Sequence, residues 1–482
     1  MVNNNLRMYI NGEWVLSHNK DVISVYNPAD KEQIATIPRG DYEDIDVAVK
    51  AAKRAFKSQE WQETNPHERG YILHSMAQKI RENKDEFAEL ETTDVGKPLS
   101  QGYADVEAAA RYFEFYAGVA DKIMGETIPV DHGVLDFTVR EPIGVTAHII
   151  PWNYPLQISA RSAAAAIATG NTVVIKCAED TPLTALKLAE CFDESSLPSG
   201  VFNVVTGYGY EAGAALASHP DINHVTFTGS VQTGKAVMKA AAENVVPVTL
   251  ELGGKSPNIV FSDCNMDEAL QGVVKSNIQN AGQTCSAGSR LIVEESIKDT
   301  FIEKLKTKFE NISIGPGLKD FDLGPILSEK QFSGIQSSIR QAEEDGCLIW
   351  GGKQVQINGH ENGYYMQPTL ITNCDPKSKI AQEEIFGPVL TVFSFKTEAE
   401  AVELANGTEY GLVTGIWTSN IGKANRVWNK VDSGQVFINN YGAGGGIQMP
   451  FGGYKKSGFG REKGLEALKN YTQVKNVAVK FE

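Results

Sequence analysis

The chain has 482 residues, 42% of them hydrophobic and 22% charged, which is enough apolar material for a large core and two or three domains. Its 45 Lys and Arg against 60 Asp and Glu leave a formal charge of −15, which argues against a nucleic-acid or anionic-membrane partner but not against a local basic site. The N-terminus, MVNNNLRMYINGEWV, lacks an apolar signal core, and no apolar run approaches a membrane span. Cys177, Cys191, Cys264, Cys285, Cys347 and Cys374 are scattered with no Cys-x-x-Cys pair. They read as free thiols of a reduced, cytoplasmic protein. With no His-Glu-x-x-His, no catalytic metal is assigned.

MYINGEWV predicts a short hairpin turning at Asn11–Gly12. Residues 42–122 carry apolar side chains at three- and four-residue spacing and read as helical. From about residue 139 strands and helices alternate: GVTAHII, TVVIK, VFNVVT, HVTFTG and PVTLEL are short β-branched strands, with LQISARSAAAAIA, PLTALKLAECF, EAGAALASH and GKAVMKAAAE as helices between them. That pattern means a parallel sheet covered by helices. A second alternating region follows, with PNIVF, SRLIVEE, QPTLIT, VLTVFSF, TGIWTS and QVFINN as strands. Two α/β domains therefore meet near residue 254, with a cleft suited to a small molecule. The C-terminal YTQVKNVAVKF alternates like a strand and needs another segment, or another subunit, to pair with.

Three glycine-rich loops compete as ligand cradles. GSVQTGKA (229–236) is nearly a phosphate-binding P-loop, but Ala236 stands where a hydroxyl would hold Mg²⁺. It still closes a strand and opens a helix, so Gly229, Ser230 and Gly234 suit a pyrophosphate; a plain strand–helix turn looks similar. GYGYEA (207–212) fits a dinucleotide fingerprint but comes late among the strands. GAGGG (442–446) precedes no helix and reads as a surface or substrate-facing loop.

In AGQTCSAGS (281–289), Cys285 sits on a turn of small and polar residues, where its sulfur can be approached. A thiol attacks only as thiolate, so it needs a base or an electropositive site. No histidine is close in sequence, which leaves a carboxylate. Glu251, in LELGGK, ends an apolar strand and must be exposed, paired or functional. In IIPWNYP (149–155), two prolines around Trp152, Asn153 and Tyr154 stiffen a turn. The fixed Asn153 amide can serve an oxyanion, or it can cap the next helix.

PWNYP, KCAED, FTGSVQTG, ELGGKSP, GQTCSAGSR, EEIFGPV and PFGGYKKSG occur in an order and at spacings that resemble the NAD(P)-dependent aldehyde dehydrogenase superfamily over nearly the whole chain. The resemblance implies a Rossmann-like cofactor domain (1–122 and 143–253), an α/β catalytic domain (254–454) and β oligomerisation segments (123–142 and 470–482). It implies Cys285 as nucleophile, Glu251 as general base and Asn153 as oxyanion donor. Lys176 and Glu179 then hold the adenosine ribose, Ser230 and its neighbouring glycines face the pyrophosphate, Glu384 and Phe386 hold the nicotinamide ribose and ring, and Trp152 also binds the cofactor. Glu462 matches a member of a proton relay, but Ser162, beside Arg161, stands where many relatives carry a lysine. Cys177 replaces a common proline, and it and the other four cysteines are expected to be structural.

The same resemblance implies NAD-dependent oxidation of an aldehyde to an acid through a cysteine thiohemiacetal and thioester. NAD is expected over NADP, because Glu179 would accept ribose hydroxyls and repel a 2′-phosphate. A homodimer or homotetramer is implied, with no nucleic acid or membrane as partner. The bulk-free NYGAGGG stretch suggests a permissive entrance for aliphatic or aromatic aldehydes. Two rivals within the superfamily are a betaine aldehyde specificity and transfer of the acyl group to coenzyme A.

Overall fold

Asn11 (φ 58°) and Gly12 (φ 79°) are both left-handed, the geometry of a two-residue hairpin turn, and they join Met8–Ile10 to Glu13–Val15. The computed structural model describes residues 6–442 and 446–481. After the hairpin come helices over Tyr42–Lys57, Pro66–Glu82, Lys84–Val95 and Leu99–Val119, as the apolar spacing predicts. Asp41 and Asn65 open the first two of these with reciprocal capping boxes, and Gly96 (φ 87°) ends the third in a left-handed cap.

The first α/β region builds five parallel strands: β1 (Val145–Ile149), β2 (Thr172–Lys176), β3 (Phe202–Val205), β4 (His224–Thr228) and β5 (Val248–Glu251). Their order in the sheet is β3-β2-β1-β4-β5, with the N-terminal hairpin added antiparallel beside β3 and Gly458–Phe459 antiparallel beside β5. This is the Rossmann order over its first five strands, and it reverses direction between β1 and β4. Between β1 and β2 runs helix α1 (Pro155–Ala168), almost wholly buried and rich in alanine; β4 leads into helix α2 (Val231–Ala242). The β-branched strands are buried throughout, as a sheet covered on both faces requires.

The second sheet holds six parallel strands: β6 (Pro257–Val260), β7 (Arg290–Glu294), β8 (Thr369–Thr372), β9 (Val389–Phe395), β10 (Val413–Trp417) and β11 (Gln435–Ile438). They run in the order β8-β9-β7-β6-β10-β11, with Leu348–Gly351 antiparallel on the β8 edge. Helix α3 (Met266–Ile278) connects β6 to β7 and ends just before the Cys285 turn. The C-terminal strand Thr472–Lys480 finds its partner within the chain: it pairs antiparallel along Val134–Pro142, which also pairs with Thr127–Ile128. No helix among the described residues is long and apolar enough to cross a membrane.

The expectation of free thiols fails for two cysteines. Leu348 pairs with Thr372 at the end of the antiparallel edge, which brings the flanking Cys347 and Cys374 to a Cα separation of 4.9 Å, and their sulfurs are joined in a disulfide. The link is invisible to a search for close Cys pairs because 27 residues separate the two. Cys177, Cys191, Cys264 and Cys285 are free. The helix expected over EAGAALASH is also shorter, covering only Ala214–Ala217 after a wide turn over Gly209–Gly213.

Candidate active site

The carboxyl ends of β1, β4 and β5 meet at the reversal point of the first sheet, and the turn after α3 reaches them from the second sheet. Between them is a cavity of about 320 Å³ whose wall includes Asn153, Glu251 and Cys285. Three residues far apart in sequence therefore share one space.

The loop bearing Cys285 is held by an unusual backbone. Asn280 (φ 48°), Ala281 (φ 54°) and Gly282 (φ 73°) are successively left-handed, a conformation costly for the two that carry a Cβ. A Cβ at Gly282 would lie 2.2 Å from the carbonyl oxygen of Gly387, so glycine alone fits. Buried amides fix the loop from within: Gln283 Nε2 donates to Asn280 O (3.1 Å), Leu327 N donates to Gln283 Oε1 (2.9 Å), and Asn280 Nδ2 donates to Asn153 O (3.1 Å). Asn280 and Gln283 went unnoticed in the sequence, where the signal was two polar residues inside an otherwise small-residue turn.

Asn153 does not cap α1. Its Nδ2 donates to Gln283 O at 3.0 Å, and the cap position falls on Tyr154, with Pro155 starting the helix. One of the two amide hydrogens thus fixes the side chain, and the group keeps a second to donate. Cys285 is partly accessible, and its thiol is pushed up to about 12, chiefly by burial and then by the nearby Glu384 and Glu251 carboxylates.

Glu251 is 1% exposed, and neither carboxylate oxygen has a hydrogen-bond partner among the described residues. Of the three fates open to a carboxylate on an apolar strand, exposure and pairing are excluded. Its backbone is fixed on both sides by pairing with Thr228 and Gly458. Burial raises its pKa well above the usual carboxylate range, and Glu462 adds to the rise. A raised carboxyl in a cleft is the setting of a general base or acid.

Further along the cavity, Gly229 and Ser230 join β4 to α2, and the Ser230 hydroxyl accepts from Thr233 N at 3.1 Å. Among the described residues the amides of Val231 and Gln232 have no acceptor, which suits an anion. Lys235, which a P-loop reading needs, is exposed and does not line the cavity. Gly234 does not line it either: a Cβ there would meet Leu252 at 2.6 Å, so this glycine lets α2 pack close to the end of β5. Trp152 and Phe386 face each other edge-on at 5.2 Å, with Phe386 left-handed (φ 58°). Glu384 accepts from Gly254 N at 2.9 Å, and burial raises its carboxyl to about 7. A Cβ at Gly253 would lie 2.2 Å from Glu384, so this glycine makes room for that carboxylate, while one at Gly254 would lie 2.4 Å from the carbonyl oxygen of Cys285.

At the end of the neighbouring β2, Lys176 Nζ contacts Glu179 at 2.8 Å, and Gly209 N from the GYGYEA loop donates to the same carboxylate at 3.4 Å. Burial works against the Glu179 charge, but Lys176 outweighs it and holds the pKa below the ordinary value. Glu462 is not on the cavity wall; it is in ion contact with Arg161, which is. Ser162 turns inward and donates to Ile158 O at 3.0 Å. Arg161 and Lys463 both line the cavity and were not read as site residues from sequence. Of the GAGGG loop, residues 443–445 lie outside the described residues.

The chain is similar to known proteins over nearly its whole length. The model of the aldehyde dehydrogenase family matches residues 14–477. The betaine aldehyde dehydrogenase of Bacillus subtilis (strain 168) is 42% identical over 474 residues, which cover 98% of this chain and 96% of that protein. The hydroxyisobutyraldehyde dehydrogenase of Mycolicibacterium austroafricanum is 42% identical over 477 residues, covering 98% and 94%. An NAD⁺ complex of an aldehyde dehydrogenase from Bacillus cereus superposes with a TM-score of 0.97 at 42% identity, covering 100% of this chain and 98% of that one. The chain belongs to the aldehyde dehydrogenase family and has its fold.

Proposed function

We propose that this protein oxidises an aldehyde to the carboxylic acid with NAD, using Cys285 as nucleophile, Asn153 as oxyanion donor and Glu251 as the base that activates water. The observation that carries the reading is the convergence of these three side chains in one cavity, with a buried, unpartnered Glu251. The groups fit the cofactor. Free amides at the start of α2 suit a pyrophosphate, Lys176 and Glu179 suit a ribose, and Trp152, Glu384 and Phe386 lie on the side suited to the nicotinamide ribose and ring. NAD bound there supplies the hydride acceptor. The ionised Glu179 favours NAD, since a 2′-phosphate would bring like charges together.

The chemistry follows from the residues. Deprotonated Cys285 forms a carbon–sulfur bond to the carbonyl carbon, and the carbonyl oxygen takes up the charge. The amide of Asn153 and the backbone N–H of Cys285 donate to that oxyanion. Collapse of the tetrahedral thiohemiacetal expels the former aldehyde hydrogen as hydride and leaves a thioester on Cys285. Glu251 then takes a proton from water, the hydroxide attacks the thioester carbon, and the carbon–sulfur bond breaks to release the acid. The intact base disfavours acyl transfer to coenzyme A, which does not need activated water.

Residues 1–122 and 143–253 serve as the cofactor domain and 254–454 as the catalytic domain on this reading. The antiparallel pair of Val134–Pro142 and Thr472–Lys480 supplies the contact of a homodimer or homotetramer, in keeping with the exposed Val474 and Val479 along it. The protein acts in the cytoplasm. The test is absorbance of reduced nicotinamide with a panel of aldehydes and NAD or NADP, in the wild type and in Cys285→Ala. The reading expects reduction of NAD by the wild type and none by the variant; equal rates in both would remove Cys285 as nucleophile.

A further inference from the structure

Cavity-lining residues from the cap of α1 onward follow a helical stripe: Tyr154 at the cap and Gln157, Ile158 and Arg161 on the helix stand at spacings of three and four. The last puts a guanidinium into the wall that also bears Cys285. Lys463 enters the same wall from the turn after Gly458–Phe459, held left-handed at φ 64° beside Gly464 at φ 57°. Both cations face the ring of Phe451, Arg161 Cζ at 5.6 Å and Lys463 Nζ at 5.2 Å from its centre. Neither is a surface residue: Arg161 is 5% exposed and Lys463 2%.

Burying charge is costly, so two cations in a reaction cavity call for an electrostatic reason. Glu462 meets Arg161 on one side, and Thr228 Oγ1 accepts from it at 3.4 Å, yet Arg161 Nε is buried with no hydrogen-bond partner among the described residues. Burial opposes the Arg161 charge, but Glu462 together with Tyr112, Glu251 and Cys285 more than restores it, so the guanidinium stays protonated. Burial, with Arg161 adding to it, lowers Lys463 to about 7, so this amine carries a partial charge at neutral pH that an incoming anion would complete. The oxidation scheme gives neither cation a role, although Glu251 and Glu462 both favour their charged forms.

We infer that the aldehyde this site accepts is a short semialdehyde, its second end a carboxylate received by Arg161 and Lys463. A planar guanidinium matches a carboxylate in two parallel hydrogen bonds, which fixes the far end of the substrate while Cys285 meets the carbonyl. Trp152, Glu384 and Phe386, on the side proposed for the nicotinamide, line the same cavity of about 320 Å³, so only part of it is left for the substrate and the chain between the two groups is short. The same cations disfavour a trimethylammonium group, so the betaine aldehyde specificity of several relatives does not carry over. This inference rests on the proposed aldehyde oxidation.

The experiment compares kcat/KM, with NAD, for succinic semialdehyde, butanal of equal chain length, and betaine aldehyde. The expected preference for succinic semialdehyde over butanal is about tenfold or more, the scale of a hydrogen bond to a charged group, expressed mainly in KM. In Arg161→Met the ratio falls towards one, Arg161→Lys restores part of it, and Lys463→Met lowers it separately. The wild-type ratio stands even where a variant fails to fold. A kcat/KM for butanal or betaine aldehyde equal to or above that for succinic semialdehyde overturns this inference alone. No reduction of NAD with any of the three overturns aldehyde oxidation, and this inference with it.

Discussion

The side-chain amide of Asn153 donates to the backbone carbonyl of Gln283 at 3.0 Å, two residues before Cys285. This bond ties the turn after β1 of the first sheet to the nucleophile loop of the second. On the proposed mechanism it makes the oxyanion donor and the nucleophile parts of one rigid unit rather than two loops that happen to meet. Replacing Asn153 by Ala removes both the donor and the tie. The expected loss in kcat is on the order of a hundredfold or more, as for other single oxyanion donors. Steady-state rates with a fixed aldehyde check it, and a drop of only a few-fold would assign the oxyanion to other groups.

The Cys285 thiol, pushed up to about 12 by burial and then by Glu384 and Glu251, is protonated at neutral pH in the free enzyme. Because a raised pKa keeps the inactive neutral form dominant until high pH, reactivity must climb with pH rather than level off near neutrality. Alkylation of Cys285 by iodoacetamide without cofactor, followed by peptide mass spectrometry, should accelerate steadily through the alkaline range. A plateau below pH about 8, near the ordinary thiol value, would contradict this environment.

Behind Tyr154 lies a fully buried cluster: Lys97 contacts Glu91 at 2.8 Å and Asp105 at 2.5 Å, and its Nζ stands 4.1 Å from the centre of the Tyr154 ring. Asp105 Oδ1 also accepts from Gln157 at 3.0 Å, so the cluster props the start of α1. Lys97→Met leaves two buried carboxylates without their cation. We expect a stability loss of ~3–5 kcal/mol, read as a lower unfolding midpoint in denaturant. An unchanged midpoint would mean that Lys97 does not compensate the two carboxylates.

Glu179 is ionised and pinned by Lys176 and Gly209 N–H. If its charge sets cofactor choice, Glu179→Ser should shift the ratio of kcat/KM for NAD over NADP towards NADP by about tenfold or more, the scale of one relieved like-charge contact. A ratio that does not move would place cofactor choice elsewhere.

Local patterns made much of this legible. Alternation of β-branched strands with helices specified both parallel sheets, and Asn11–Gly12 specified its hairpin, because period and turn chemistry are encoded by neighbours. Cys285, Glu251 and Asn153 stood out because each breaks a local rule: a thiol without apolar neighbours, a carboxylate on an apolar strand, an amide between prolines. Long-range pairings were hidden. Arg161 and Lys463 look like ordinary surface charges until α1 and the turn at Gly464 bring them to one ring, and the Cys347–Cys374 bond depends on strand register. Gly234 looked like a cradle glycine, but a side chain of β5's successor, Leu252, decides its place.

The covalent intermediate gives the most direct test. Glu251→Gln keeps the size of the side chain but cannot take a proton from water, so the enzyme should form its thioester and stall. Incubation with an aldehyde and NAD should then give a burst of NADH close to one per active site, with poor steady turnover. Peptide mass spectrometry should find the acyl group on Cys285. A full steady rate in this variant, or an unmodified Cys285 after the burst, would contradict the account.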